Sequence, residues 1–230
     1  MIIGFCGPKR SGKNYVAEVL LDEVENGYAT CNSETLYDRG VWELGSFADP
    51  LRSFVLDIFD MGHSHAEGYL KEVPVRSLMP SHEHVKAACK YYFGNQKPAR
   101  LISSYLTSNQ GKSGFIDKSY RELMVYIGTE LVRKGVDEDY WVKVLDKRCK
   151  KGNYIVTDVR MENEAKYVRE NGIIVHIENP DVHYTGEHLT EIGVTMQDGD
   201  LIFRNDLKSS SREFGNNILN LKKKLEEKLL

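Results

Sequence analysis

No C-x-x-C pair occurs in this chain, although it carries four cysteines, Cys6, Cys31, Cys89 and Cys149. Scattered single cysteines argue against a disulfide framework and suit free thiols in a reducing compartment. No apolar run is long enough to cross a bilayer. The opening MIIGFCGPKRSGK has neither a basic leader segment nor a long apolar one, so no secretory signal is expected. Charge of one sign is not in excess either. A formal net charge of -3 over 230 residues leaves no bulk electrostatic footprint for nucleic acid. A local basic pocket for a small polyanion remains compatible with that balance. There is no internal repeat. The absences together predict a cytoplasmic protein with no membrane or nucleic-acid partner.

What is present is the material of a folded domain. Hydrophobic residues make up 41% of the chain, enough for a sizeable core. Ile2 to Cys6 reads as a short buried strand stopped by Gly7-Pro8. After a glycine loop, Val16, Val19, Leu20 and Val24 share one helical face. Strand, loop and helix in that order open an α/β unit. Leu44–Phe47 reads as a second strand, and Asp49-Pro50 opens a helix with an apolar stripe from Leu51 to Phe59. Residues 61–118 show little periodicity and read as an insertion with one or two helices. Its histidines, His63, His65, His82 and His84, lack zinc-module spacing and read as polar loop residues. Ser119-x-x-Glu122 is a capping box opening a helix that ends at Gly135. Another helix, begun by Asp137 to Asp139, carries Trp141. Tyr154–Thr157 and Ile173–Ile177 read as strands around a helix from about Met161 to Asn171, with Gly172 as its C′ residue. A loop-rich stretch leads to the apolar segment Asp200-Leu-Ile-Phe203, and the C-terminus is an amphipathic helix.

Three segments carry chemistry. The first is Gly7-Pro-Lys-Arg-Ser-Gly-Lys-Asn14, which fits G-x-x-x-x-G-K-[ST] except at its last position. Its glycines let backbone N–H groups turn toward phosphates, and the following helix adds positive potential. Gly7, Lys9, Arg10, Ser11, Gly12, Lys13 and Asn14 are therefore candidate ATP-phosphate residues, with Lys13 reaching the β- and γ-phosphates. Asn14 replaces the hydroxyl that usually holds Mg²⁺. Its amide oxygen binds the metal directly or through water, or else the loop binds nucleotide and catalyses poorly. The second segment, Tyr154 to Glu164, puts Asp158 at a strand end and Arg160 just beyond. Asp158 can hold Mg²⁺ or its water shell. Arg160 can grip a phosphate in a bidentate fork, or form an ordinary surface pair with Glu164. The third is the basic set Arg121, Arg133 and Lys134. These can neutralise a transferring phosphoryl group. For Arg133 and Lys134, compensation of a helix C-terminus is the equal alternative.

These residues resemble, in order, those of the deoxynucleoside monophosphate kinases of bacteriophages. The likeness includes Gly7–Lys13, Phe47-Ala-Asp-Pro50, Gly128-Thr-Glu-Leu131, Tyr140-Trp-Val-Lys143, Asp158, Arg160 and Glu164. It continues through Thr190-Glu-Ile-Gly193 and Asp198-Gly-Asp200 to Asn205-Asp206. Asn14 departs from it, since the family has an acidic residue there. The resemblance implies an α/β, P-loop NTPase-like, three-layer α/β/α fold with a mainly parallel sheet. It also implies a single kinase domain over residues 1–230, with a helical insertion or lid at about 61–118. The implied reaction moves the γ-phosphoryl group of ATP, with Mg²⁺, onto a deoxynucleoside 5′-monophosphate. Lys13, Arg160, Asp158 and Arg10 are the catalytic set. Phe47, Arg121, Trp141, Arg160, Glu164 and Arg133 are the acceptor-binding set, and Asn14 and Asp158 the Mg²⁺ set. Phe47, Tyr126 and Trp141 are candidate walls for the base, with core packing the equal alternative for Trp141. Two other readings stay open: a kinase of another phosphorylated acceptor, such as dephospho-coenzyme A or phosphomevalonate, and a nucleotide-binding ATPase or switch. The N-K-x-D motif of GTPases is absent. The partners expected are small nucleotides, a homodimer is left open, and the location is the host's cytoplasm if the source is viral.

Overall fold

The apolar run Ile2–Cys6 forms β1, buried at every position. That is how a central parallel strand covered on both faces should read. In this computed structural model the described residues are 1–26, 35–109, 111, 114–150, 152–182, 193–206 and 208–229. They divide into two compact units, one of Met1–Phe47 with Leu145–Leu230, the other Ala48–Val144. The second unit contains the whole of residues 61–118 and extends beyond them at both ends.

In the first unit, β1 is followed by α1 (Lys13–Glu25), β2 (Trp42–Gly45), β5 (Asn153–Val156), α7 (Glu162–Asn171), β6 (Gly172–Glu178), β7 (Leu201–Arg204) and α8 (Ser211–Leu229). The strands form one sheet in the order β2-β5-β1-β6-β7, every pair parallel. Ile3, Phe5, Val175 and Ile177 share a core with Val16, Leu20 and Val24 of α1 and Ile218, Leu221 and Leu225 of α8. Gly4 points the other way: a Cβ there would meet Val168 of α7 at 2.7 Å. Helices thus cover both faces, giving the expected α/β/α layers. With β5 and β6 on either side of β1, the strand order reverses at β1. Ligands of open α/β sheets bind at the carboxyl edge of such a point. The residues that follow β1, β2, β5, β6 and β7 all lie on that edge.

The second unit holds α2 (Asp49–Ile58), β3 (Pro74–Leu78), α3 (His82–Phe93), α4 (Ala99–Asn109), β4 (Phe115–Ser119) and α5 (Tyr120–Val125). α5 continues as a wide, π-type helix over Tyr126–Arg133. α6 (Tyr140–Cys149) follows it, and the boundary between the two units falls within α6. β3 and β4 pair antiparallel, an element the weak periodicity of this region did not announce. The Ser119 capping box is present, with both reciprocal hydrogen bonds formed. Among the described residues no helix is long and apolar enough to cross a membrane.

Two boundaries differ from the sequence expectation. β2 spans Trp42–Gly45, because Ser46 and Phe47 leave the ladder to meet Asp158. Gly172 is the first residue of β6 rather than a left-handed helix stop, at φ 169. What requires glycine there is space, since a Cβ would sit 1.8 Å from the Ile2 carbonyl oxygen. Cys31 and residues 190–192 of the Thr190–Gly193 segment fall outside the described residues.

Candidate active site

The Gly7–Lys13 loop turns from β1 into α1 through backbone conformations that glycine tolerates. Gly7 has φ 146 and Gly12 has φ 86. Arg10 holds a left-handed φ of 68, a cost of about 1 kcal/mol for a side-chain-bearing residue. A Cβ on Gly7 would lie 2.4 Å from the Ile177 carbonyl oxygen, so both backbones need this glycine. Ser11 is fully buried, while Lys9, Arg10 and Asn14 are exposed at the loop's rim. Tyr15, beside Asn14, stacks its ring on Phe214 at 5.2 Å and is committed there.

Lys13 is the loop's partly buried cation. Its Nζ donates to the carbonyls of Gly7 at 2.8 Å and Pro8 at 2.7 Å. Burial, and then the positive charge of Arg160, pushes its pKa down to about 8. An anion bound beside the loop would favour the charged form of Lys13 against both effects. Cys6, just behind the loop, is no nucleophile: burial pushes its thiol up to about 12.

Asp158 leaves the end of β5 and is buried. One oxygen accepts from Ser46 Oγ at 2.9 Å and the other from the Phe47 N–H at 2.7 Å. It thus ties the end of β2 to the end of β5. A carboxylate at this strand end suits a metal's water shell as well as its structural task. With the amide oxygen of Asn14, this is a set of hard oxygen donors of the kind Mg²⁺ takes.

Arg160 is exposed. Its backbone N–H, not its guanidinium, is what the structure gives to Glu164: Glu164 Oε2 accepts from the N–H of Arg160 at 2.8 Å and of Met161 at 3.1 Å. Glu164 is 2% exposed and serves α7 as a cap, which fixes the turn that presents Arg160. Phe47 is also buried, its ring edge-on to Tyr167 at 6.5 Å, so it offers the site a backbone N–H rather than a base wall.

In the second unit, Arg121 pairs with Glu72, and Arg133 Nη1 lies 3.5 Å from the Glu138 carbonyl. Lys134 pairs with Glu130 one turn back. Trp141 is a core residue. Its Nε1 donates to the Gly128 carbonyl at 3.0 Å, and its ring meets Phe93 and Tyr140 edge-on. With ring and N–H both engaged, it is withdrawn from the base-wall set. Tyr126 stacks on Tyr105 at 4.0 Å.

Several residues that complete the loop's surroundings were not singled out as functional by sequence. Asn205, at the end of β7, is 2% exposed and donates from Nδ2 to the Ser11 carbonyl at 2.8 Å. That bond ties the loop to the residue that follows β7. A Cβ on Gly12 would meet the same Nδ2 at 2.2 Å. Asp200 accepts both arms of Arg169, at 3.0 and 2.7 Å, and contacts His176 Nε2 at 2.9 Å. Burial alone would raise its carboxyl; the hydrogen bonds from Arg169 and His176 outweigh it and hold the pKa down. The network braces α7, β6 and the entry to β7 beneath the carboxyl edge. Its only sequence signal was the D-G-D spacing before the last strand.

The profile of a family described as deoxynucleotide monophosphate kinase matches residues 70–212, well over half of the chain. The chain is 35% identical to the deoxynucleotide monophosphate kinase of Escherichia phage RB69 over 238 aligned positions, covering 89% of this chain and 93% of that one. A 95-residue stretch is 37% identical to the enzyme of the same name from Enterobacteria phage T4, spanning 38% of this chain and 39% of the relative. The deoxynucleoside-5′-monophosphate kinase of Escherichia phage T5 is 25% identical over 217 residues, 84% of this chain and 85% of that one.

Proposed function

The chain belongs to the deoxynucleotide monophosphate kinase family, and from that premise we propose that it transfers the γ-phosphoryl group of ATP to a deoxynucleoside 5′-monophosphate, giving the diphosphate. The observation that supports the site assignment is Lys13, a partly buried cation where a glycine loop enters α1. Its Nζ donates to the Gly7 and Pro8 carbonyls of its own loop, and burial, then the positive charge of Arg160, depresses its pKa. A polyanion is the ligand that this electrostatic arrangement favours.

On this reading Lys13 exchanges the Gly7 and Pro8 carbonyls for β- and γ-phosphate oxygens. The N–H groups of the loop around Ser11, Gly12 and Lys13 hold the same phosphates, and Lys9 and Arg10 add charge at the rim. Arg160, held in place through Glu164, neutralises the acceptor phosphate so that two anions can approach in line. Arg121 and Arg133 stay assigned to the acceptor. Asn14 and Asp158 would hold Mg²⁺, with Asp158 acting through water; the ion would neutralise charge on the β- and γ-oxygens. Calorimetric titration with ATP and Mg²⁺ tests the loop. Binding by the wild-type chain and its loss in Lys13→Ala are expected, and equal binding by the two proteins would refute the assignment.

A further inference from the structure

β7 has only four residues, Leu201–Arg204, and forms one edge of its sheet, with β6 as its ladder partner among the described residues. So short a ladder holds register weakly, and a slip by one residue would turn the buried Leu201 and Phe203 to the exposed face. Side chains hold the strand at both ends instead. At its entry the Asp200 carboxylate takes a forked grip from Arg169 of α7, Nε at 3.0 Å and Nη2 at 2.7 Å. The same Nη2 donates to the Thr195 carbonyl at 2.8 Å, so one guanidinium ties two points of the chain that leads into β7. The side chains of Asp200 and Arg169 are 3% and 17% exposed, so water competes little, and the fork fixes direction as well as distance. At the exit of β7, Asn205 extends the ladder, its N–H donating to the Glu178 carbonyl at 2.7 Å. Its side chain then reaches the Ser11 carbonyl of the glycine loop.

We propose that Arg169 is a positioning residue for the glycine loop: through Asp200 and β7 it sets where Asn205 meets Ser11. The proposal rests on the reading of that loop as a phosphate site. Asp200 and Asn205 are separated by about 16 Å of extended chain, so the grip at one end and the loop contact at the other share no atoms. Substitutions that far apart ordinarily act independently. Here a strand paired along β6 connects them, and a shift of Asp200 carries Asn205 with it. Without the fork, β7 rests on its short ladder alone, and the Asn205 amide loses its fixed place against the loop.

The test measures binding of inorganic tripolyphosphate with Mg²⁺ by calorimetry, well below the unfolding temperature. Arg169→Lys removes the fork and keeps a positive charge beside the buried Asp200, which also retains His176 Nε2 at 2.9 Å, so folding is spared. It should weaken tripolyphosphate about fivefold in the wild-type background. In the Asn205→Ala background, where the far end of the connection is already gone, it should change binding by less than about twofold. Asp200→Asn removes the charge that the fork grips and should show the same dependence on Asn205. An effect of Arg169→Lys that persists undiminished in Asn205→Ala would overturn the proposal. So would a lower Tm with tripolyphosphate binding unchanged in both Arg169→Lys and Asp200→Asn, because the network would then be structural only. Absence of binding by the wild-type chain would instead sink the loop reading on which the proposal rests.

Discussion

Replacing Asn205 by alanine should both destabilise the protein and loosen its donor site. The side chain is buried, and its amide is the donor that the structure gives to the Ser11 carbonyl, at 2.8 Å. Without it a buried carbonyl loses its partner, at a cost of about 2 kcal/mol. For a chain of this size that corresponds to a Tm lower by roughly 4–8 °C, measurable by circular dichroism. The loop should also lose its fixed geometry, so KM for ATP should rise while KM for the acceptor stays put. A double-mutant cycle with Gly12→Ala sharpens the claim. Alone, Gly12→Ala suffers a left-handed backbone, about 1 kcal/mol, and a Cβ only 2.2 Å from Asn205 Nδ2. In the Asn205→Ala background the collision is gone and only the backbone cost remains. The two substitutions should therefore be coupled by more than about 1 kcal/mol. Additive losses, or a Tm within about 1 °C of wild type for Asn205→Ala, would refute the reasoning.

Three further outcomes are expected. Lys13 titrates near pH 8 in the free protein, and an anionic ligand binds its charged form. ATP affinity should therefore be nearly flat below about pH 7.5 and fall about tenfold per unit well above pH 8, and a flat profile would contradict the loop's electrostatics. Arg160→Ala should raise KM for the acceptor by roughly tenfold or more and KM for ATP by less than about twofold, and equal effects would contradict its assignment. Trp141→Phe should lower Tm by about 2–4 °C through loss of the bond to Gly128, with no change in the relative KM values of different acceptors. A changed base preference would restore it to the acceptor site.

Much of the frame was legible because it is local. The β1 run, the glycine loop, the Ser119 box and the α7 and β6 segments each carry their signal within a dozen residues. The β3–β4 pair was hidden because its pattern is polar and its partners are separated by two helices. The site was legible in its cations and missed in its supports. Asn205 reaches a carbonyl 194 residues away, and no spacing rule predicts that. Glu164 stands four residues from Arg160, the spacing of a side-chain pair, yet its carboxylate caps the backbone. Sequence separation gives proximity and leaves open which atoms meet. Trp141 shows the same limit, since an aromatic in a functional segment can be core.

The most direct measurement of the central claim is acceptor-dependent ADP formation. The chain is incubated with ATP, Mg²⁺ and each nucleoside monophosphate in turn, with Lys13→Ala as control. ADP should form in proportion to turnover of at least one deoxynucleoside monophosphate, and none above background should form with Lys13→Ala. Absence of acceptor-dependent ADP with every deoxynucleotide would contradict the central claim.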